Sequence, residues 1–125
     1  MKNEIKSVNA PSPIGPYSQG IMANNMLFVS GQIAIDPQTG LIVNANISLE
    51  TSRVMDSIRA ILEEAGMDFS NVVKASIFVK DLNNFQVINE TYGKYFTGLP
   101  PARETIEVCR LPKDANVEIS CIAVK

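Results

Sequence analysis

Between Ser48 and Ala65 the apolar residues Val54, Ile58, Ile61, Leu62 and Ala65 recur at three- and four-residue steps, the period of an amphipathic helix. A stripe of that kind has to be buried against another element, so the helix dictates that a second layer exists. Ser48 is the expected N-cap and Gly66 the expected C-terminal stop. The flanking segments carry strand signals instead. Gly20–Ala23 and Met26–Ser30 flank Asn24-Asn25, a pair that tolerates the positive φ of a tight hairpin. Val72–Val79 is rich in β-branched and aromatic residues.

A second helix is expected over Leu82–Phe96, ended by Leu99-Pro100-Pro101, with closing strands at Arg103–Cys109 and Val117–Val124 around the turn-like Leu111–Asn116. Asp36-Pro37-Gln38-Thr39-Gly40 reads as an exposed turn, and the proline- and glycine-rich 11–20 as an ordered loop. The order β-β-α-β-α-β-β predicts an α+β fold, one domain over residues 1–125, with a mixed sheet and both helices on one face. The other face is left bare and partly apolar, so a homo-oligomer with sites at its subunit seams is expected.

Composition narrows the chemistry. Apolar residues make up 46% and charged residues 19%, a globular balance. A net charge of −2, with eleven scattered Lys and Arg, offers no basic field for nucleic acid. There is no histidine, which removes Ser-His-Asp and Cys-His catalysis, and no metal site is expected from two thiols and scattered carboxylates. Cys109 and Cys121 are expected to be free and packed. With no signal-like N-terminus and no membrane-length apolar run, the expected address is cytoplasmic, away from membranes.

The strongest local signal is Pro100-Pro101-Ala102-Arg103 followed by Thr105. A stiff proline pair leads into a strand, which positions the guanidinium, and alternation puts Thr105 on the same face about 6 to 7 Å away. A guanidinium offers two parallel N–H bonds to a carboxylate. Arg103 is otherwise a solvated surface residue or an ion-pair partner of Glu118. Glu118 points to the face opposite Val117 and Ile119, as a solvated edge charge or a general base for an attacking water. Tyr17 is a packing anchor or a hydroxyl presented over a ligand. At Ser30-Gly31 a glycine permits close backbone approach, and Asn89 by itself is a polar helix residue.

Taken together, Ala10-Pro11, Ile14-Gly15-Pro16-Tyr17-Ser18-Gln19-Gly20, Phe28-Val29-Ser30-Gly31-Gln32, Asn89-Glu90, Pro101-Ala102-Arg103, Leu111-Pro112-Lys113-Asp114 and Val117-Glu118-Ile119 resemble the RidA/YjgF reactive intermediate deaminases, the 2-iminobutanoate/2-iminopropanoate deaminases. The resemblance spans nearly the whole chain. It implies a chorismate-mutase-like fold and a homotrimer with a central β-barrel and three clefts between neighbouring subunits. It further implies hydrolysis of enamine and imine acids to 2-keto acids and ammonia without a cofactor. The family's carboxylate-binding arginine falls on Arg103 and its water-positioning glutamate on Glu118. Its loop tyrosine falls on Tyr17, its Ser-Gly pair on Ser30 and Gly31, and its helix asparagine on Asn89. Three features depart from the common pattern: Glu104 stands for a small residue, Thr105 for a frequent cysteine, and the pair Ser120-Cys121 for an acidic-then-small pair. Two readings from other classes share the arginine clamp or the family: a non-catalytic module binding small carboxylates or keto acids, and a ribonuclease or translation inhibitor. A redox-activated chaperone would need exposed reactive cysteines.

Overall fold

The long helical period becomes helix α1, Ile47–Glu64, in the computed structural model, which describes residues 1–125. Its buried side is Val54, Met55, Ile58, Ile61 and Leu62, each at most 1% exposed. Asn46, two residues earlier than the expected Ser48, is the N-cap, its side chain accepting from the Leu49 amide at 2.8 Å. Ser48 lies inside the first turn, where its hydroxyl bonds the Thr91 hydroxyl on the second helix at 3.2 Å. Gly66 stops the helix as expected, with a φ of +72 that only glycine adopts freely.

Six strands follow the chain as β1 Asn3–Ile5, β2 Gly20–Ala23, β3 Met26–Gln32, β4 Val72–Val79, β5 Ala102–Glu107 and β6 Val117–Val124. They form one sheet in the order β1-β2-β3-β6-β4-β5, with β4 and β5 parallel and every other neighbouring pair antiparallel. The β2–β3 hairpin turns on Asn24 and Asn25, whose φ values of +49 and +66 are the left-handed pair that such a turn needs. Strand β1 was not foreseen: three residues, mostly polar and exposed, carry no alternation to read. Strand β5 starts one residue earlier and ends two residues earlier than expected, leaving Cys109 beyond its end and exposed, not packed.

Helix α2 runs only over Phe85–Gly93, led in by a 3₁₀ turn at Leu82–Asn84. After Gly93 the chain tightens, with the Tyr95 amide on the Tyr92 carbonyl and the Phe96 amide on the Gly93 carbonyl. That turn places Tyr95 and Phe96 edge-on to Phe69, each with ring centres 5.3 Å away. Aromatic packing thus ends the helix before the prolines do.

Both helices lie on one sheet face. In β6, Val117, Ile119, Cys121 and Ala123 are buried beneath them, while Glu118, Ser120 and Ile122 point the other way and are half-buried. The second face carries Phe28 and Ile106, both exposed, and the acidic Glu104. No helix is long and apolar enough to cross a membrane.

If Asn46 caps α1, Asn46→Ala should destabilise the fold by about 1 kcal/mol and Asn46→Ser should restore it. Urea unfolding measures both; an alanine variant as stable as the parent would remove the cap assignment.

Candidate functional site

Arg103 sits on edge strand β5 opposite Ala75 of β4, which in turn pairs with Cys121 of β6, and all three belong to the helix-covered side. Its guanidinium lies 5.1 Å from the Tyr92 ring centre and 5.7 Å from that of Phe85. Phe85, Asn89 and Tyr92 share one side of α2 because they are spaced by four and three residues. The chain's ion pairs join Arg59 to Asp56, Lys74 to Glu104 and Lys80 to Asp114. Arg103 has none. The reading of Arg103 as an ion-pair partner of Glu118 therefore does not hold within the chain, and its charge is held by aromatic faces with the fork left free.

Around that guanidinium the polar groups are under-used. Asn89 Oδ1, Tyr92 Oη and Thr105 Oγ1 are buried without a hydrogen-bond partner. Burial pushes the Tyr92 phenol up to about 12, against the downward pull of the Arg103 charge. Tyr92 was not singled out from the sequence. Its signal was there in retrospect: it stands one turn beyond Asn89 on the face of α2 that meets β5.

Glu118 lies on the opposite face, level with Phe78 of β4. It closes a cleft of about 80 Å³ whose walls include Pro11, Ile14, Tyr17, Gly31 and Pro112. Burial raises its carboxyl above the usual carboxylate range. Gly31 leaves room for the carboxylate: a Cβ there would lie 2.9 Å from Glu118 Cδ, so the carboxyl group would have to shift. The register between β3 and β6 shifts between Val29 and Gln32, which bends the strand over the carboxylate.

Tyr17 is half-exposed on the proline-rich loop. The loop is ordered by Gln19, 1% exposed, whose side chain accepts from the Ser7 amide at 2.7 Å and donates to the carbonyls of Ser7, Ala10 and Pro11. Ser30 ties that loop to the sheet. Its amide donates to the Gln19 carbonyl at 2.9 Å and its hydroxyl to the Ser18 carbonyl at 2.5 Å. Its hydrogen is thus committed to structure, leaving the hydroxyl oxygen as an acceptor.

One chain therefore builds two half-sites. Tyr17, Gly31 and Glu118 line the cleft on the open side, with Ser30 holding the loop beside it, while Arg103, Thr105 and Asn89 gather at the β5–α2 edge on the other. Glu104 belongs to neither. Strand alternation turns it to the open face, where Lys74 holds it at 2.9 Å and Ser76 donates to it. Cys121 is buried, with its thiol pushed up to about 12. No three carboxylate or thiol side chains converge to hold a metal ion. A larger groove of about 400 Å³ between Arg59, Phe69, Tyr95 and Leu99 contains none of these residues, and Arg59 there is already paired with Asp56.

Known proteins of similar sequence and shape agree on one family. Residues 7–125 match the family model described as endoribonuclease L-PSP. A RutC family protein of Pyrococcus horikoshii is 51% identical over all of this chain and 99% of its own. The 2-iminobutanoate/2-iminopropanoate deaminase of Escherichia coli K12 is 44% identical, again over the whole chain and 99% of its own. Escherichia coli TdcF, in a crystal structure with bound serine, superposes with a TM-score of 0.95 at 39% identity, covering 98% of each chain.

The contact between Gly31 and Glu118 is testable by itself. Gly31→Ala should cost about 1–3 kcal/mol through overpacking. Adding Glu118→Ala should recover most of that loss, because the colliding carboxylate is gone. Equal destabilisation in both backgrounds would show that the two residues do not meet.

Proposed function

The chain belongs to the RidA/YjgF family, and from that footing we propose that it hydrolyses small 2-imino acids, and the 2-amino-2-alkenoic acids that tautomerise to them, into 2-keto acids and ammonia. One observation carries the reading: a half-buried arginine with no carboxylate partner in its own chain, its neighbouring polar atoms unpaired. Such a group calls for an external anion. The relatives supply the chemistry, since one is named for this deaminase reaction and another binds serine, a small amino acid.

Since Arg103 and Glu118 face opposite sides of the sheet, a substrate small enough to be a three- or four-carbon acid cannot span them within one copy. In this proposal the protein is a homotrimer, and each site joins Arg103, Asn89 and Thr105 of one copy to Tyr17, Ser30, Gly31 and Glu118 of the next. The bare sheet faces close on one another in the same assembly.

Arg103 grips the substrate carboxylate with two parallel bonds and so fixes the position of C2. Glu118, ionised, takes a proton from a water as its oxygen attacks C2, giving a tetrahedral carbinolamine. The glutamic acid returns that proton to nitrogen. Glu118 then carries the hydroxyl proton to the nitrogen as the C–N bond breaks, so that ammonia leaves and the keto group forms with the carboxylate restored. Tyr17 stands beside the carboxylate to orient the new hydroxyl. Every atom comes from substrate and water, and no step draws on a cofactor. Free imines already hydrolyse in water, so positioning plus one acid–base group suffices.

A binding module for small carboxylates uses the same clamp without turnover. The serine-bound relative is the observation in its favour. A ribonuclease role has less support, because a chain with net charge −2 lacks the cationic track that phosphate binding needs.

Four outcomes follow, with turnover measured as decay of enzymatically generated 2-aminoacrylate. Arg103→Lys should keep its mass in light scattering, close to three chains, and lose most of its activity. Arg103→Ala should be worse, by a few kcal/mol in transition-state stabilisation. Turnover should rise with pH as Glu118 ionises, with a midpoint above the usual carboxylate range because burial raises that group; Glu118→Gln should abolish this limb while binding survives. Parental turnover in both arginine variants would end the proposal, and a parent no faster than buffer would leave the binding module.

A further inference from the structure

Two consecutive non-glycine residues, Lys113 and Asp114, hold left-handed backbone with φ of +54 and +57. Left-handed runs are disfavoured for residues with a Cβ, and they persist only where the surroundings over-determine them. Both lie in the loop Leu111–Asn116, which ends where β6 begins, two residues before Glu118, and whose Pro112 forms a wall of the Glu118 cleft. The loop's conformation therefore sets both a wall of the cleft and the start of the strand that carries its carboxylate.

Three tethers hold it. Lys80 Nζ reaches Asp114 Oδ1 at 2.9 Å, an exposed pair of the kind that contributes little. The Lys80 amide donates to the Asn116 carbonyl at 3.1 Å. The third is different. Glu50, in the first turn of α1 and 0% exposed, accepts from the Asn116 amide at Oε2 and from Asn116 Nδ2 at Oε1, both at 2.8 Å. A carboxyl group is costly to bury, and the residues around it supply only this one partner. A carboxylate can accept both donors at once, whereas a glutamine amide can accept only one and would set its own N–H against the other.

Building on the proposed hydrolysis, we infer that Glu50 is a positioning residue for Glu118: it latches Asn116 so that the strained loop Leu111–Asn116 keeps Pro112 and Glu118 in register over Gly31. It acts through the backbone of β6 and touches no substrate. Asn116 is its partner in that role, and Arg103, on a different strand and the opposite face, lies outside it.

The test compares Glu50→Gln with the double variant Glu50→Gln/Asn116→Asp. In the double variant the glutamine oxygen takes the backbone amide and its nitrogen donates to the new carboxylate, restoring two bonds with reversed polarity. Two readouts are followed: steady-state kinetics on 2-aminoacrylate, and titration of the Glu118 carboxyl by carbon NMR in uniformly labelled protein. The single variant should keep the parental oligomer mass, lose kcat on the order of 10- to 100-fold with KM within about twofold, and show a Glu118 midpoint moved down toward the usual carboxylate range as the cleft loosens. The double variant should recover both. An unchanged Glu118 titration in Glu50→Gln overturns the inference, as does a loss of kcat and KM together with dissociation and no rescue, which is what a purely structural contact gives. Should the parent fail to turn over substrate, the hydrolysis reading falls, but the NMR titration still decides whether Glu50 positions Glu118.

Discussion

Strand alternation is the constraint on which the rest of this molecule depends. Side chains along a strand point to opposite faces in turn, and neighbouring strands keep rows in step. With α1 and α2 covering one face, Ala75, Cys121 and Arg103 fall in a row on the covered side, and Phe78 and Glu118 in a row on the other. A cation fit for a carboxylate and a carboxyl group fit for a water are thereby separated by the sheet itself. The chemistry proposed for them needs the two within a few ångströms of one small molecule, so in this account a second copy completes what one copy cannot.

Electrostatics reinforces that division. Arg103 rests on two aromatic rings and answers no carboxylate of its own chain, while Glu104, the nearest acidic residue in sequence, is drawn to Lys74 and Ser76 on the far face. Glu104 departs from the common pattern, yet alternation keeps its charge out of the arginine's surroundings. On the open side, partial burial raises the Glu118 carboxyl while Gly31 leaves room for it. A base whose ionised form is disfavoured by burial takes protons more readily, which suits it to activating water.

Much of this was legible in the residues because the periods of 3.6 and 2 survive in the sequence. α1, the hairpin on Asn24-Asn25, β4 and β6 all follow from apolar spacing and turn chemistry. The face assignments of Arg103, Thr105, Glu104 and Glu118 follow from alternation alone. What spacing does not encode was missed. The cap moved from Ser48 to Asn46 because either residue type caps, and only the backbone decides which amide each one meets. α2 is short because Phe69, distant in sequence, draws Tyr95 and Phe96 out of helical geometry. The roles of Gln19 and Glu50 were not legible for one shared reason: each is a polar residue whose meaning lies in partners that only the fold brings near.

The central claim is that a complete site takes Arg103 from one copy and Glu118 from another, and subunit mixing tests it most directly. Arg103→Ala and Glu118→Gln, each inactive alone, are unfolded together at equal amounts, refolded, and assayed on 2-aminoacrylate. If sites are shared, random assembly in a closed ring pairs an intact Arg103 with an intact Glu118 in about a quarter of the sites, and activity returns to that fraction of the parental rate. Refolded mixtures of full oligomer mass that remain as inactive as either variant alone would contradict the account, because both residues would then have to come from the same chain.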